Sequence, residues 1–99
     1  MKYLVTVRAT LKSDPKTSQP VHDEIVAKTA KISRPMGGVS HHAYLNPQNP
    51  KEFLSLDGWD NLEAIQKLYS DPNLAAEFGK LFEGMPEITV WSDSGWSSF

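Results

Sequence analysis

The stretch Ser55–Tyr69, SLDGWDNLEAIQKLY, changes its hydrophobic rhythm around Trp59. The residues leading into the tryptophan alternate apolar and polar, whereas Leu62, Ile65 and Leu68 beyond it recur every third position. A period of two belongs to a strand and a period between three and four to a helix, so a strand hands over to a helix here. The strand is expected over Phe53 to Trp59. Asp60 followed by Glu63 matches a capping-box variant, which predicts a helix start near Asn61.

Working upstream, Val39 to Leu45 reads as a strand, and NPQNP (46–50) is a turn joining it to the Phe53–Trp59 strand as a hairpin. Gly37-Gly38 permits a sharp reversal before that hairpin, and Arg34-Pro35 predicts the end of a helix, because the residue before proline is pushed out of the helical region. That helix carries Val21, Ile25, Thr29 and Ile32 on one face, with Val26 and Ala30 beside it, and is expected to open at Pro20. SDPKTSQ (13–19) reads as a turn. From Lys2 to Lys12, Tyr3, Val5, Val7, Ala9 and Leu11 alternate with mostly polar residues, the signature of a first strand.

Downstream, Asp71-Pro72 opens another helix with Leu74, Phe78, Leu81 and Phe82 at helical spacing; Gly84 and Pro86 stop it. Glu87 to Ser92 makes the last strand, and residues 93–99 form a polar tail carrying Trp96 and Phe99. The order β-α-β-β-α(α)-β predicts an α+β ferredoxin-like split β-α-β sandwich: a four-stranded antiparallel sheet with helices on one face.

Composition narrows the function. The 99 residues make one domain spanning 1–99, with 39% hydrophobic and 22% charged residues, and no apolar run nears the roughly 18 residues of a spanning helix. A membrane protein is not expected. The opening MKYLVTVRATLK is interrupted by Arg8 and followed by no small-residue cleavage site, so a cytoplasmic protein is expected. The sequence contains no cysteine, which removes disulfides, thiolate nucleophiles and cysteine-bound zinc. A formal charge of -2 with scattered lysines and arginines offers no footprint for phosphate backbones, so nucleic acid is not an expected partner.

Helices can cover only one side of such a sheet. Tyr3, Val5, Val7, Ala9 and Leu11 assign that side, with Leu54, Leu56, Ile88 and Val90 as expected companions. By alternation the uncovered face is expected to carry Leu4, Thr6 and Arg8 from the first strand and Ser40, His42 and Tyr44 from the second. The third would add Phe53, Ser55, Asp57 and Trp59, and the last Thr89 and Trp91. Such a mixture is too apolar for open solvent and too charged for a dry core, which leaves an interface between two copies or a partly enclosed ligand cavity.

These elements resemble the antibiotic biosynthesis monooxygenase-like family of the dimeric α+β barrel superfamily. The resemblance covers nearly the whole chain through element order. It is carried most specifically by GGVSHHAYLNPQNPKEFLSLDGWDNLEAIQKLYSDPNLAAEF (37–78), with its glycine-led strand, proline-rich turn, Trp59 at a strand end and short helix before Ser70-Asp71-Pro72. It implies a homodimer whose sheets form a shared barrel, with a pocket in each subunit between sheet and helices. Members include cofactor-independent monooxygenases acting on quinols and aromatic polyketides, heme-degrading enzymes and proteins without assigned activity; related barrels include isomerases, cyclases and dehydratases. The heme-degrading branch combines an early-strand asparagine with a tryptophan and a histidine on the following helix. Here the histidine position is Tyr69 and the first strand has no asparagine, so that branch does not fit. In the polyketide branch a tryptophan, an asparagine and a tyrosine surround an aromatic substrate, and Trp59, Asn61 and Tyr69 are the approximate counterparts.

Against that background, each reactive residue has a functional and a structural reading. His42, on the expected cavity face, is a candidate general base or a histidine bridging strands; His41 should face the helices, and His22 reads as surface. Adjacent strand residues point oppositely, so His41 and His42 cannot share a metal ion, and no metal site is expected. Asp57 is a second candidate base, or one half of an Asp57–Arg8 pair that orients a substrate ring. Trp59 and Tyr44 could sandwich a planar molecule, with Phe53 and Trp91 completing the walls, or serve as core. The resulting expectation is an oxygenase that uses no cofactor. His42 or Asp57 deprotonates a quinol or phenol, Tyr69 and Asn61 hold the developing oxyanion, and the electron-rich anion reduces O₂. An isomerase or cyclase using the same base, or a non-catalytic dimer that binds small aromatics, is the alternative.

Overall fold

In the computed structural model, which describes residues 1–99, the first strand β1 (Tyr3–Leu11) occupies an interior place in the sheet. Helix α1 (Pro15–Met36), the hairpin β2 (Gly38–Asn46) and β3 (Asn49–Trp59), helices α2 (Leu62–Tyr69) and α3 (Pro72–Leu81), and strand β4 (Phe82–Ser92) follow. The strands stand in the order β2-β3-β1-β4, and every neighbouring pair is antiparallel. This is the expected α+β ferredoxin-like arrangement, with the helices on one face. No helix is long and apolar enough to cross a membrane.

Element boundaries differ from the sequence reading wherever a proline or a cap has more than one possible use. Helix α1 starts at Pro15 because Asp14 caps it, its carboxylate accepting the Thr17 N–H at 2.7 Å. Asp14-Pro15 is therefore the same signal as Asp71-Pro72, and SDPKTSQ contains a helix start rather than a connecting turn. Pro35 lies within the last turn of α1, and Gly37, with φ 110°, ends the helix by directing its N–H to Arg34 O. Such left-handed backbone is open to glycine without a Cβ penalty. The cap of α2 is Asn61, whose Oδ1 accepts the Ala64 N–H at 3.1 Å, while Asp60 pairs with the amino terminus at 3.2 Å. Strand β4 begins directly after α3, and Gly84 and Pro86 sit in an irregularity where its register against β1 shifts.

The largest correction concerns β3. Its register against β1 pairs Tyr3 with Trp59, Val5 with Asp57, Val7 with Ser55 and Ala9 with Phe53. Cross-strand partners share a face, so Phe53, Ser55, Asp57 and Trp59 lie beneath the helices, and Leu54 and Leu56 lie on the uncovered face with Arg8 and Thr6. Both sets keep the strand period of two; a slip of one residue exchanges them wholesale, and alternation by itself cannot choose.

The buried core lies between this face and the helices: Val5, Val7 and Leu11 from β1, Phe53 and Trp59 from β3 and Phe82 from β4. Ile25 of α1, Ala64, Ile65 and Leu68 of α2, and Leu74 and Leu81 of α3 close it from above. On the other face Leu4, Leu54 and Leu56 are half-buried, while Tyr44 and Trp91 remain 52% and 55% exposed.

Candidate functional site

The helices do not fill all the space over the sheet. Between α1 and the ends of β2 and β3 they leave a cavity of about 220 Å³, walled by Phe53, Trp59, Tyr69, Phe78 and the α1 residues Ile25 and Val26. Into this largely apolar space the strands and helices direct a chain of polar groups. Asp57, on the helix-covered face of β3, is only 8% exposed. Its Oδ2 accepts the Tyr69 hydroxyl at 2.8 Å, and its Oδ1 lies 2.6 Å from His41 Nδ1. His41 reaches it because β2 pairs His41 opposite Asp57, and cross-strand partners point the same way. His41 Nε2 in turn faces His22 Nε2 of α1 at 3.0 Å, and His22 Nδ1 lies 2.9 Å from Asp23 Oδ1.

Tyr69 stands at the C-terminal end of α2, one turn from Ile65, whose burial fixes the helix's rotation and so the direction of the phenol. Burial, reinforced by the charge of Asp57 and the hydrogen bond to it, pushes the Tyr69 phenol above its ordinary value. The hydroxyl therefore stays protonated and serves as a donor. Trp59 and Tyr69 meet edge to face, ring centroids 6.1 Å apart at 69°, so the corner tryptophan braces the tyrosine that holds Asp57.

Of the residues singled out in the sequence, Asp57, Tyr69, Trp59 and Phe53 converge on this cavity. Five others lie elsewhere. His42 and Tyr44 pair with Leu56 and Leu54 on the uncovered face, where Trp91 donates its indole N–H to Thr6 Oγ1 at 3.0 Å. Arg8, on that face too, donates to Glu52 Oε1 at 2.7 Å, so the expected Asp57–Arg8 pair does not form. Asn61 stands outside the cavity with its side-chain oxygen engaged as the α2 cap. The expectation of one cavity on the uncovered face is thus replaced by a cavity under the helices, the location implied by the family resemblance.

Two members of the polar chain carry no role in the sequence reading, where His41 faces the helices and His22 reads as surface. Both become legible once β3 is turned over: His41 then faces Asp57, and His22 precedes Ile25, Val26 and Thr29 at helical spacing, the face that α1 lays on the cavity.

The fold is shared with proteins of the antibiotic biosynthesis monooxygenase-like group, as the resemblance anticipated. SnoaB, a cofactor-independent oxygenase from Streptomyces nogalater, superposes with a TM-score of 0.72 at 16% identity, over 97% of each chain. A conserved protein from Methanosarcina mazei Go1 matches with a TM-score of 0.71 at 14% identity, covering 95% of this chain and 94% of that one. A third structure, described as an antibiotic biosynthesis monooxygenase, matches with a TM-score of 0.66 at 12% identity over 92% of this chain and 97% of that one. No protein-family model matches the sequence, and no curated protein matches it.

Proposed function

We propose that the cavity between sheet and helices binds a small aromatic molecule and oxidises it with O₂ without a cofactor. The observation that carries this reading is Asp57: a nearly buried carboxylate, held by Tyr69 and His41, that opens onto aromatic walls. Buried carboxylates with directed partners suit proton abstraction, and a carboxylate retains lone pairs for a substrate after accepting two hydrogen bonds. The cofactor-independent activity of SnoaB, a protein of the same fold, points the same way.

The chemistry then falls to the substrate. Asp57 takes a proton from a phenol, and the phenolate gives an electron to O₂. The resulting radical pair joins into a carbon–oxygen bond, and the peroxide loses water. A phenol with a free para position becomes a quinone: one oxygen atom enters the ring, the other leaves as water, and the two hydrogens lost are the hydroxyl and ring hydrogens. The walls exclude water, and Tyr69, whose one hydroxyl proton goes to Asp57, steadies the base. A cavity of about 220 Å³ falls below the roughly 300–1,000 Å³ of sites for drug-sized ligands, which favours one or two rings over three.

The uncovered face completes the proposal. Leu4, Leu54, Leu56, Tyr44 and Trp91 form an apolar surface that a second copy would cover sheet to sheet, making a homodimeric barrel. We place the protein in the cytoplasm, where a chain without cysteine meets no disadvantage.

Oxygen consumption with simple phenols, naphthols, hydroquinones and anthrone, without added cofactor, tests the activity. Asp57→Asn is expected to lower turnover by about 10²–10⁴-fold, the range general acid–base catalysis supplies. Unchanged turnover in that variant would remove Asp57 from the reaction. Product formation under anaerobic conditions would instead assign proton transfer alone, as in an isomerase or cyclase.

A further inference from the structure

The polar chain does not end at Asp57, and its hydrogen bonds can be counted. Three gaps separate four groups: Asp57 Oδ1 to His41 Nδ1 at 2.6 Å, His41 Nε2 to His22 Nε2 at 3.0 Å, and His22 Nδ1 to Asp23 Oδ1 at 2.9 Å. Each is a hydrogen-bond distance and each needs one proton. With both carboxylates ionised, two neutral imidazoles supply two protons, used at the two Nδ1 atoms. Two bare Nε2 lone pairs would then face each other. The contact is satisfied by one more proton, and of the arrangements of three protons that fill every gap, two mark the ends of a transfer along the chain. In one, Asp57 is protonated and donates to His41 Nδ1, His41 Nε2–H donates to His22, and His22 Nδ1–H donates to Asp23. In the other, Asp57 is ionised, His41 carries its proton on Nδ1, and His22 is an imidazolium donating from both nitrogens. A proton moving from Asp57 to His41 Nδ1, while another moves from His41 Nε2 to His22 Nε2, converts the first into the second and conserves every atom and charge.

We infer that His41 and His22 form an outward proton path: the proton Asp57 takes from a substrate appears as positive charge on His22, beside Asp23, and leaves to solvent from there. This rests on the reading of Asp57 as a base. Side-chain exposure is lowest at Asp57, 12%, stands at 31% for His41 and 20% for His22, and is highest at Asp23, 61%, so the chain leads from the cavity to solvent. The His22 ring, 20% exposed, is held in line by Phe53, with centroids 5.9 Å apart, and its plane lies within 28° of that of His41. The charged and titratable groups bonded to the pair are Asp57 of β3 and Asp23 of α1, with Tyr69 of α2 reached through Asp57; Arg34 of α1 lines the same cavity. His22 and His41 act on the substrate only through Asp57, as positioning residues.

The pair can be tested on the full chain without any substrate, by long-range ¹H–¹⁵N correlation of the imidazoles through a pH titration. Expected in the wild type is a proton exchanging along the chain, with a single coupled titration in which the His41 Nδ1 signal and both Nε2 signals move together. His22→Phe should uncouple His41, moving the midpoint of its titration, whereas His22→Gln, which can still offer a donor or acceptor, should leave that midpoint nearer the wild-type one. Independent titration of the two wild-type rings, or an identical His41 titration in His22→Phe, would overturn the inference. Once a substrate is identified, His22→Phe should lower kcat at least tenfold with KM unchanged, and free imidazole should restore part of the loss. An unchanged kcat would equally overturn the path. If no phenol or quinol is turned over by the wild type, the proposed oxygenase fails, and the imidazole spectra still decide whether the histidines share a proton.

Discussion

Asp57 and Tyr69 show how one hydrogen bond can tie stability to the site. Removing the Tyr69 hydroxyl leaves an Asp57 oxygen without its donor, and Tyr69→Phe is expected to cost about 1.5–3 kcal/mol at neutral pH, the range for hydrogen bonds to charged groups. The sign of its pH dependence follows from the raised Tyr69 phenol. The unfolded chain loses this proton near the ordinary value of about 10, while the folded chain keeps it. Above that pH the folded state therefore binds more protons than the unfolded state, and stability falls as pH rises. Urea midpoints measured between about pH 8 and 11 should show the wild type converging on Tyr69→Phe as pH increases, since Tyr3 and Tyr44 are common to both. A constant gap across that range would mean that the phenol is not tied to Asp57. At this scale the sequence disclosed the residue types but not their partners. Asp57, Trp59 and Tyr69 stood out by chemistry, whereas Asp57–Arg8 was a pairing drawn from an assumed face, and the actual partner, His41, comes from the β2–β3 register.

Among the elements, α2 is the one whose placement matters most to the site, because it delivers Tyr69 from only eight residues, Leu62–Tyr69. A helix this short depends on its cap and its tertiary packing. Asn61→Ala, which removes the acceptor of the Ala64 N–H, is expected to cost about 1 kcal/mol and to leave the fold intact, as read by denaturant unfolding and far-UV circular dichroism. A loss of activity beyond that stability cost would give Asn61 the place beside the substrate that the family resemblance implied. The elements were largely legible in the sequence: all four strands, the order of the helices and the hairpin followed from period and turn chemistry. What was misplaced were starts and stops. SDPKTSQ reads as a turn and Pro20 as the helix opening, whereas the chain opens α1 at Pro15 because Asp14 caps it; Pro35 reads as a stop, and α1 carries it in the last turn before Gly37.

For the molecule as a whole, the two faces of one sheet are assigned to different tasks, the helix-covered face to the cavity and the other to a proposed second copy. Leu54→Lys places a cation beside Arg8 on the uncovered face, away from the core. It is expected to give a folded monomer by sedimentation while the wild type is a dimer; a wild-type monomer would refute the barrel. Trp96, 85% exposed, and Phe99 lie in the tail beyond β4, where they could pack across that interface. Truncation after Asp93 is then expected to weaken association without lowering the unfolding midpoint of the isolated subunit, and equal dimer dissociation constants would assign the tail no such part.

The sequence by itself determined the α+β class, the element order and the presence of one apolar and one mixed face, because strand and helix periods and turn residues act over a few neighbours. Only the tertiary structure decided which face of β3 is covered. That choice depends on the register between β1 and β3, a pairing of residues about fifty positions apart such as Val5 with Asp57, and a one-residue shift in it exchanges the two sides completely. From that one pairing follow the location of the cavity under the helices, the meeting of Asp57 with Tyr69 and His41, and the departure of His42, Arg8, Tyr44 and Trp91 to the opposite side. Trp59, the residue at which the rhythm changes, thus belongs to the wall beneath the helices, where it braces the tyrosine ten residues on.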